Sequence, residues 1–160
     1  VGSHLIDQAI RLFGPVTGVY GELDARQPGA VNDDDSFIAL THETGVRSHL
    51  AMCSIVAQRG FRFRVLGSEA AYTVWGLDGQ EAQLRSGMSP LDDGFGVAPP
   101  DTYGKLGRDG ALTTVPTEPG GYREFYARLA VALRGNGPLP VDPNEVLEPI
   151  RILENLQNMG

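Results

Sequence analysis

From Ser3 to Phe13 apolar residues recur at helical spacing: Leu5, Ile6, Ala9, Ile10, Leu12 and Phe13 fall on one side, and Gly14 followed by Pro15 ends the pattern. His4, Asp7, Gln8 and Arg11, three and four residues apart, form one polar stripe on the other side. The period then changes. Val16 to Arg26 reads as a strand weakened by Gly18 and Gly21, and Gln27 to Asp35 as a polar loop ending in Asp33, Asp34 and Asp35, a run more often a solvated turn than a cation site. Ser36 to His42 and Val46 to Ala57 read as strands joined at Thr44 and Gly45, where glycine supplies the positive φ of a tight hairpin. Arg62 to Leu66 and Ala70 to Trp75 give a second hairpin across Gly67 and Ser68.

Gly79 to Ser86 reads as a short helix and Gly87 to Asp109 as a long Gly- and Pro-rich loop, of a length that is usually functional, mobile or wrapped around a neighbour. Leu112 to Val115 adds an edge strand. Gly121 to Arg134 places Tyr122, Phe125, Tyr126, Leu129 and Leu133 on one helical face, read as core, with Gly135 as the stop. Asp142 as N-cap, Pro143 after it and Glu145 at capping-box spacing open a last helix. Its expected buried face is Val146, Leu147, Ile150, Leu153 and Leu156, and Pro149 lies deep enough to kink it or break its ladder. Consecutive strands joined by short turns make a mainly antiparallel sheet, since parallel neighbours need long crossovers. The predicted class is therefore α+β: an open, mainly antiparallel sheet with the first, aromatic and C-terminal helices packed on one face. The segment Leu50 to Ala57 is apolar at both parities, so both faces of the sheet should be covered there, one by helices and the other by a second subunit.

Length and charge narrow the function. A chain of 160 residues, 41% hydrophobic and 21% charged, reads as a single domain. It begins at Val1 already close to a helical pattern, which suggests part of a longer protein. No run reaches the roughly 20 apolar residues of a membrane helix, and the opening residues lack a secretory pattern, so a cytoplasmic protein without a membrane partner is expected. Thirteen Lys and Arg against 20 Asp and Glu give a net charge of −7, with no basic cluster to grip a phosphate backbone, so nucleic acid is excluded as a partner. The lone Cys53 permits no internal disulfide and reads as a small buried hydrophobe.

Most chemistry is excluded by pattern. No G-x-G-x-x-G follows a strand and opens a helix, and there is no P-loop, so this chain alone is expected to bind no cofactor. Three isolated histidines and one cysteine supply no metal site, although His42 and His49 could share a face of the first hairpin as diagonal neighbours. A nucleophile elbow is also missing. What remains is His4 with Asp7 on one face at the start of the first helix, a pair suited to hydrogen-bonding a hydroxyl that is being oxidised. On composition alone two bland readings compete with it: a solvated histidine at a helix end, or a Gly-Ser-His scar of tag removal.

Read continuously, V-G-S-H-L-I-D-Q-A-I-R-L-F-G-P-V from Val1 to Val16 resembles the opening of the C-terminal domain in the glucose–fructose oxidoreductase, inositol dehydrogenase and rhizopine catabolism (Gfo/Idh/MocA) superfamily. The similarity continues through Asp34, Asp35 and Phe37, G-F-R-F-R-V-L-G from Gly60 to Gly67, W-G-L-D-G-Q-E from Trp75 to Glu81, G-Y-R-E-F-Y from Gly121 to Tyr126, and P-V-D-P around Val141. The L-D-G-Q-E stretch with Gly87 and Pro90 is similar to a subgroup that includes NADP-dependent scyllo-inositol dehydrogenases.

The resemblance implies that residues 1–160 are the C-terminal substrate-binding and dimerisation domain of a two-domain enzyme, whose N-terminal Rossmann domain would bind NAD or NADP and carry a lysine beside a proline. It maps the glycine and histidine of a D-x-G-x-H motif to Gly2 and His4, with the aspartate standing immediately before Val1. It further implies that His4 is catalytic and lines the cleft, that Asp7 binds substrate hydroxyls, that the substrate is a sugar or polyol, and that the chain forms a homo-oligomer through its sheet face. Without its cofactor domain the chain is expected to be inactive. The alternative is a non-catalytic binding or assembly module that reuses the same sheet.

Overall fold

The computed structural model describes residues 2–159, with the side chain of Met159 set aside. The elements run α1 (Gly2–Phe13), β1 (Val16–Asp24), β2 (Asp35–His42), β3 (Arg47–Cys53), β4 (Phe63–Leu66), β5 (Ala71–Val74), α2 (Gln80–Arg85), β6 (Gly104–Arg108), β7 (Ala111–Val115), α3 (Tyr122–Leu133) and α4 (Leu147–Met159). Every strand pair is antiparallel, and the fold is α+β as expected. The ladder is divided into a three-stranded sheet, β1-β2-β3, and a four-stranded one, β4-β5-β6-β7. They belong to two compact units: Gln58–Pro140 forms one, and the segments on either side of it form the other.

In the three-stranded unit β2 is central, and its alternate residues Ser36, Ile38, Leu40 and His42 are buried. Against them lie Ile6 and Ala9 of α1 and Ile152 and Leu156 of α4, with Ile10, Leu50, Met52 and Leu153 at the margin. Each fully buried aliphatic side chain is worth about 2 kcal/mol, so this cluster fixes how both helices seat. Between β2 and β3, His42 N–H donates to the carbonyl of Val46 and Gly45 N–H to that of His42, both at 2.9 Å, and Gly45 sits at φ 82°, where a side chain would be strained.

Two expectations change here. The strand expected to reach Ala57 stops at Cys53, because the antiparallel register exhausts its partner at Asp35. Ile55 and Val56 are consequently exposed, and the reading of a segment apolar on both faces fails beyond that point. The last helix is also phased differently. Asp142 caps as expected, its carboxylate accepting from Asn144 N–H at 2.9 Å, but Pro143–Val146 is a 3-10 turn and the α-helix begins only at Leu147. Proline lacks a donor N–H and is tolerated only in a first helical turn. Starting at Leu147 puts Pro149 there, and the buried face becomes Pro149, Ile152, Leu153 and Leu156 while Val146, Leu147 and Ile150 are exposed.

In the four-stranded unit, β6 lies within the segment expected to be loop and pairs with both β5 and β7. Its glycines hid it: a Cβ on Gly104 would fall 2.4 Å from ring atoms of Tyr72, so glycine is needed for a ring to cross the strand. The rest of that loop is tied down. Gln83 Oε1 accepts from Gly96 N–H at 2.7 Å, Gly96 carbonyl accepts from Gly120 N–H at 2.9 Å, and buried Gln80 takes Tyr122 N–H at 2.9 Å. The L-D-G-Q-E stretch thus has a structural use, since Asp78 accepts from Gln80 N–H at 3.0 Å and Gln80 holds the start of α3. Expected as core, the aromatic stripe of α3 is not: Tyr122, Phe125, Tyr126 and Leu133 are exposed and the helix buries none of its residues. The helices seated on a sheet within their own unit are α1 and α4.

The acidic run of the 27–35 loop behaves as a turn. Asp34 accepts from the backbone N–H groups of Arg26 and Gln27 at 2.8 and 2.9 Å, Asp33 from the Ser36 hydroxyl, and Asp35 pairs with Arg26 at 2.5 Å. The two N–H donors hold the Asp34 carboxyl below its ordinary value of 3.8. A depressed carboxyl contributes stability above the unfolded value and loses it as pH falls through the folded one. Amide protection at Arg26 and Gln27 should therefore persist down to pH 3.8 and collapse below it, and Asp34→Asn should abolish that pH dependence; exchange measured by NMR across this range checks it.

Candidate functional site

The stripe His4, Asp7, Gln8, Arg11 owes its direction to the opposite side of α1. Ile6 and Ala9 are sealed into the core, and at about 100° per residue their burial turns His4 and Asp7 outward. The first turn comes close to its neighbours at Gly2, where a Cβ would meet Leu153 Cδ2 at 3.2 Å and Met52 Sδ at 3.4 Å. The C-terminal end is held by the first hairpin: Thr44 Oγ1 donates to the Phe13 carbonyl at 2.9 Å, and Glu43 N–H to the Pro15 carbonyl at 3.0 Å.

His42 supplies the central part of that anchor. Its ring is 1% exposed, with Nδ1 2.7 Å from the Gly14 carbonyl, Nε2 2.9 Å from Ser48 Oγ, and Phe13 edge-on at 5.7 Å. A carbonyl only accepts, so Nδ1 carries the hydrogen, and in the neutral ring Nε2 accepts from the serine hydroxyl. The expected diagonal pairing of His42 with His49 does not form. His49 lies opposite Ala39, on the outward face of the sheet against Phe37, whereas His42 continues the buried series. Among the described residues no cluster of three or more metal-ligating side chains exists.

His4 is exposed and makes no hydrogen bond or ion pair within the described residues. Asp7 turns toward Arg11, one turn further along: Arg11 Nε is 3.2 Å from both Asp7 oxygens, and Arg11 Nη2 is 2.7 Å from Glu145 Oε2. Glu145 first, then Asp7, hold the guanidinium charged beyond its ordinary range. Glu148 Oε1 accepts from Val16 N–H at 3.4 Å. The capping-box role expected for Glu145 is thus replaced by an ion pair with α1. An i,i+4 Asp–Arg pair is visible in the sequence, but nothing in it brings Glu145 to Arg11 over a sequence separation of 134. A hollow of about 620 Å³ between the end of β1, Val31–Asp33 and Leu156 includes neither His4 nor Asp7.

A nicotinamide dinucleotide needs a parallel strand–turn–helix cradle. The antiparallel ladders among the described residues contain no such cradle.

Chemically, the outer side of α1 presents an imidazole whose ring nitrogens have no partner among the described residues, and one turn away the carboxylate of Asp7. Such a pair suits a hydroxylated ligand.

Comparison with known proteins identifies the family of the domain. Residues 1–158 match the oxidoreductase family, C-terminal alpha/beta domain. The chain is 36% identical over 159 residues to scyllo-inositol 2-dehydrogenase (NADP(+)) IolW of Bacillus subtilis, covering 96% of this chain and 44% of that protein. It is 33% identical over 173 residues to an uncharacterised oxidoreductase of Schizosaccharomyces pombe, covering 96% and 47%. Among solved structures, the putative oxidoreductase yvaA of Bacillus subtilis superposes with a TM-score of 0.88 at 33% identity, covering 99% of this chain and 46% of that one. The chain spans less than half the length of these relatives. Since His42 anchors the helix that carries the stripe, His42→Ala should cost about 2–4 kcal/mol, from the cavity and the unpaired Gly14 carbonyl together. Denaturant titration checks the loss.

Proposed function

Because this chain belongs to the Gfo/Idh/MocA oxidoreductase family, matching its C-terminal alpha/beta domain, we propose that it is the substrate-binding and oligomerisation part of an NAD(P)-dependent enzyme that moves hydride between nicotinamide and a hydroxyl of a sugar or inositol. The observation that carries the reading is the outward stripe of α1, His4 and Asp7 on a helix locked by its buried side. Hydride chemistry belongs to the nicotinamide, held by a domain N-terminal to this one.

What this chain contributes is recognition and charge. His4 donates a hydrogen bond to the oxygen of the reacting hydroxyl and stabilises the charge developing there. Asp7 accepts from a neighbouring hydroxyl, which orients the ring, and a polyol rewards such matching because each buried hydroxyl left unpaired weakens binding. An inositol is favoured by the 36% identity to an enzyme named for scyllo-inositol and NADP. Oligomerisation would use the outward face of the three-stranded sheet. Its register places Tyr20, Phe37, Ala39, His49 and Ala51 together there, opposite the side that α1 and α4 cover. The cell compartment proposed is the cytoplasm, and no helix among the described residues is long and apolar enough to cross a membrane.

In the full-length protein, His4→Ala should lower turnover of scyllo-inositol with NADP by roughly 10²-fold or more while cofactor affinity stays within two-fold of wild type, roughly the loss of one acid–base group. Steady-state kinetics with a cofactor titration tests this, and equal turnover would remove His4 from the mechanism. The chain by itself should show no turnover above buffer.

A further inference from the structure

The polar stripe contains a residue that the proposed function has not used. Arg11 is at the centre of a three-member chain of charges, with Asp7 on its own helix and Glu145 on the turn before α4. Its Nε faces both oxygens of Asp7 at the same 3.2 Å, so the carboxylate is held by its end. Its far nitrogen is fixed by Glu145 at 2.7 Å. Arginine is suited to this, since its donors lie in one rigid plane and bind two groups without bending. A free Asp7 would sample several rotamers and have to be ordered by each incoming substrate. Held as it is, it offers each oxygen's remaining lone pair in a preset direction, because an ionised carboxylate accepts about four hydrogen bonds and Arg11 uses two.

We propose that Arg11, anchored by Glu145, is a positioning residue for Asp7: it fixes the carboxylate as an acceptor for a substrate hydroxyl and so sets affinity for the polyol, without touching the polyol. This rests on the assignment of Asp7 to substrate binding. Three consequences separate the role from simple scaffolding. The effect belongs to the polyol and not to the cofactor. It passes through Asp7, so it vanishes when Asp7 is absent. It is also modest, because all three side chains are partly exposed and such pairs are weak.

The test is steady-state kinetics of the full-length enzyme with scyllo-inositol and NADP. Arg11→Ala should raise the KM for scyllo-inositol roughly five-fold with kcat within about two-fold, and Glu145→Gln should move KM the same way by less. The KM for NADP and the melting temperature should not move. Arg11→Lys, which restores the charge without the planar fork, should recover only part of the loss. In an Asp7→Ala background, Arg11→Ala should add nothing. An Arg11→Ala enzyme with wild-type polyol KM, or a loss that adds in full to that of Asp7→Ala, or an equal rise in the NADP KM, overturns the proposal. If Asp7→Ala raises the polyol KM while Arg11→Ala does not, only the role of Arg11 falls. If Asp7→Ala itself leaves the polyol KM unchanged, the substrate-binding reading falls and takes this one with it.

Discussion

One packing constraint governs the functional face: α1 must keep Ile6 and Ala9 dry against Ile38, Leu40, Ile152 and Leu156. A helix is rotationally rigid at this scale, since a turn of about 100° would exchange a buried isoleucine for a charged neighbour, at several kcal/mol. The direction of His4, Asp7 and Arg11 follows from that seat. Hydrogen bonds at the helix C-terminus through Thr44 and His42, and the close approach of Gly2 to Leu153, fix the remaining translation. The site is built by what lies behind it.

Polar groups elsewhere mostly serve the backbone. Asp34 closes the 27–35 loop on two N–H groups, Gln80 receives the first N–H of α3, and Gln83 takes that of Gly96. Each replaces water at a donor that would otherwise be unsatisfied. None of the described buried polar side-chain atoms lacks a partner. This separates Asp78 and Gln80 from His4: the former sit in a distinctive motif and are consumed by structure, while the latter's nitrogens have no partner among the described residues.

The sequence was legible where local physics decides. The first helix, both hairpins, the Gly45 turn and the Asp142 cap follow from periodicity, glycine and proline, and the α+β class from short antiparallel connections. It was opaque where distant partners decide. The glycines of β6 read as loop because Tyr72, which needs the space at Gly104, is far away in the chain. The cap at Asp142 predicts one continuous α-helix, but Pro149 is tolerated only in a first helical turn, so a 3-10 turn precedes α4 and shifts its phase. The α3 stripe has the spacing of a core face, but spacing states only that one side is apolar, and within this chain that side is exposed. Of the site, the His4–Asp7 spacing was readable; that Asp7 is shared with Arg11 and Glu145 depends on the fold bringing α1 to the start of α4.

The two sides of α1 answer to different penalties. A change at Ile6 or Ala9 opens a cavity or overfills a core that has no slack, and costs stability directly. A change at His4 meets mostly water, and exposed substitutions rarely matter to folding. The inner side can therefore hold the fold while the outer side varies with the ligand. Asp7 is the exception on the wet side, because Arg11 and Glu145 link it to α4. On the proposed assignment of Asp7 to substrate binding, a substitution at Arg11 or Glu145 would reach the substrate's hydroxyls through a carboxylate it leaves in place, and would adjust specificity without rebuilding the helix that displays it.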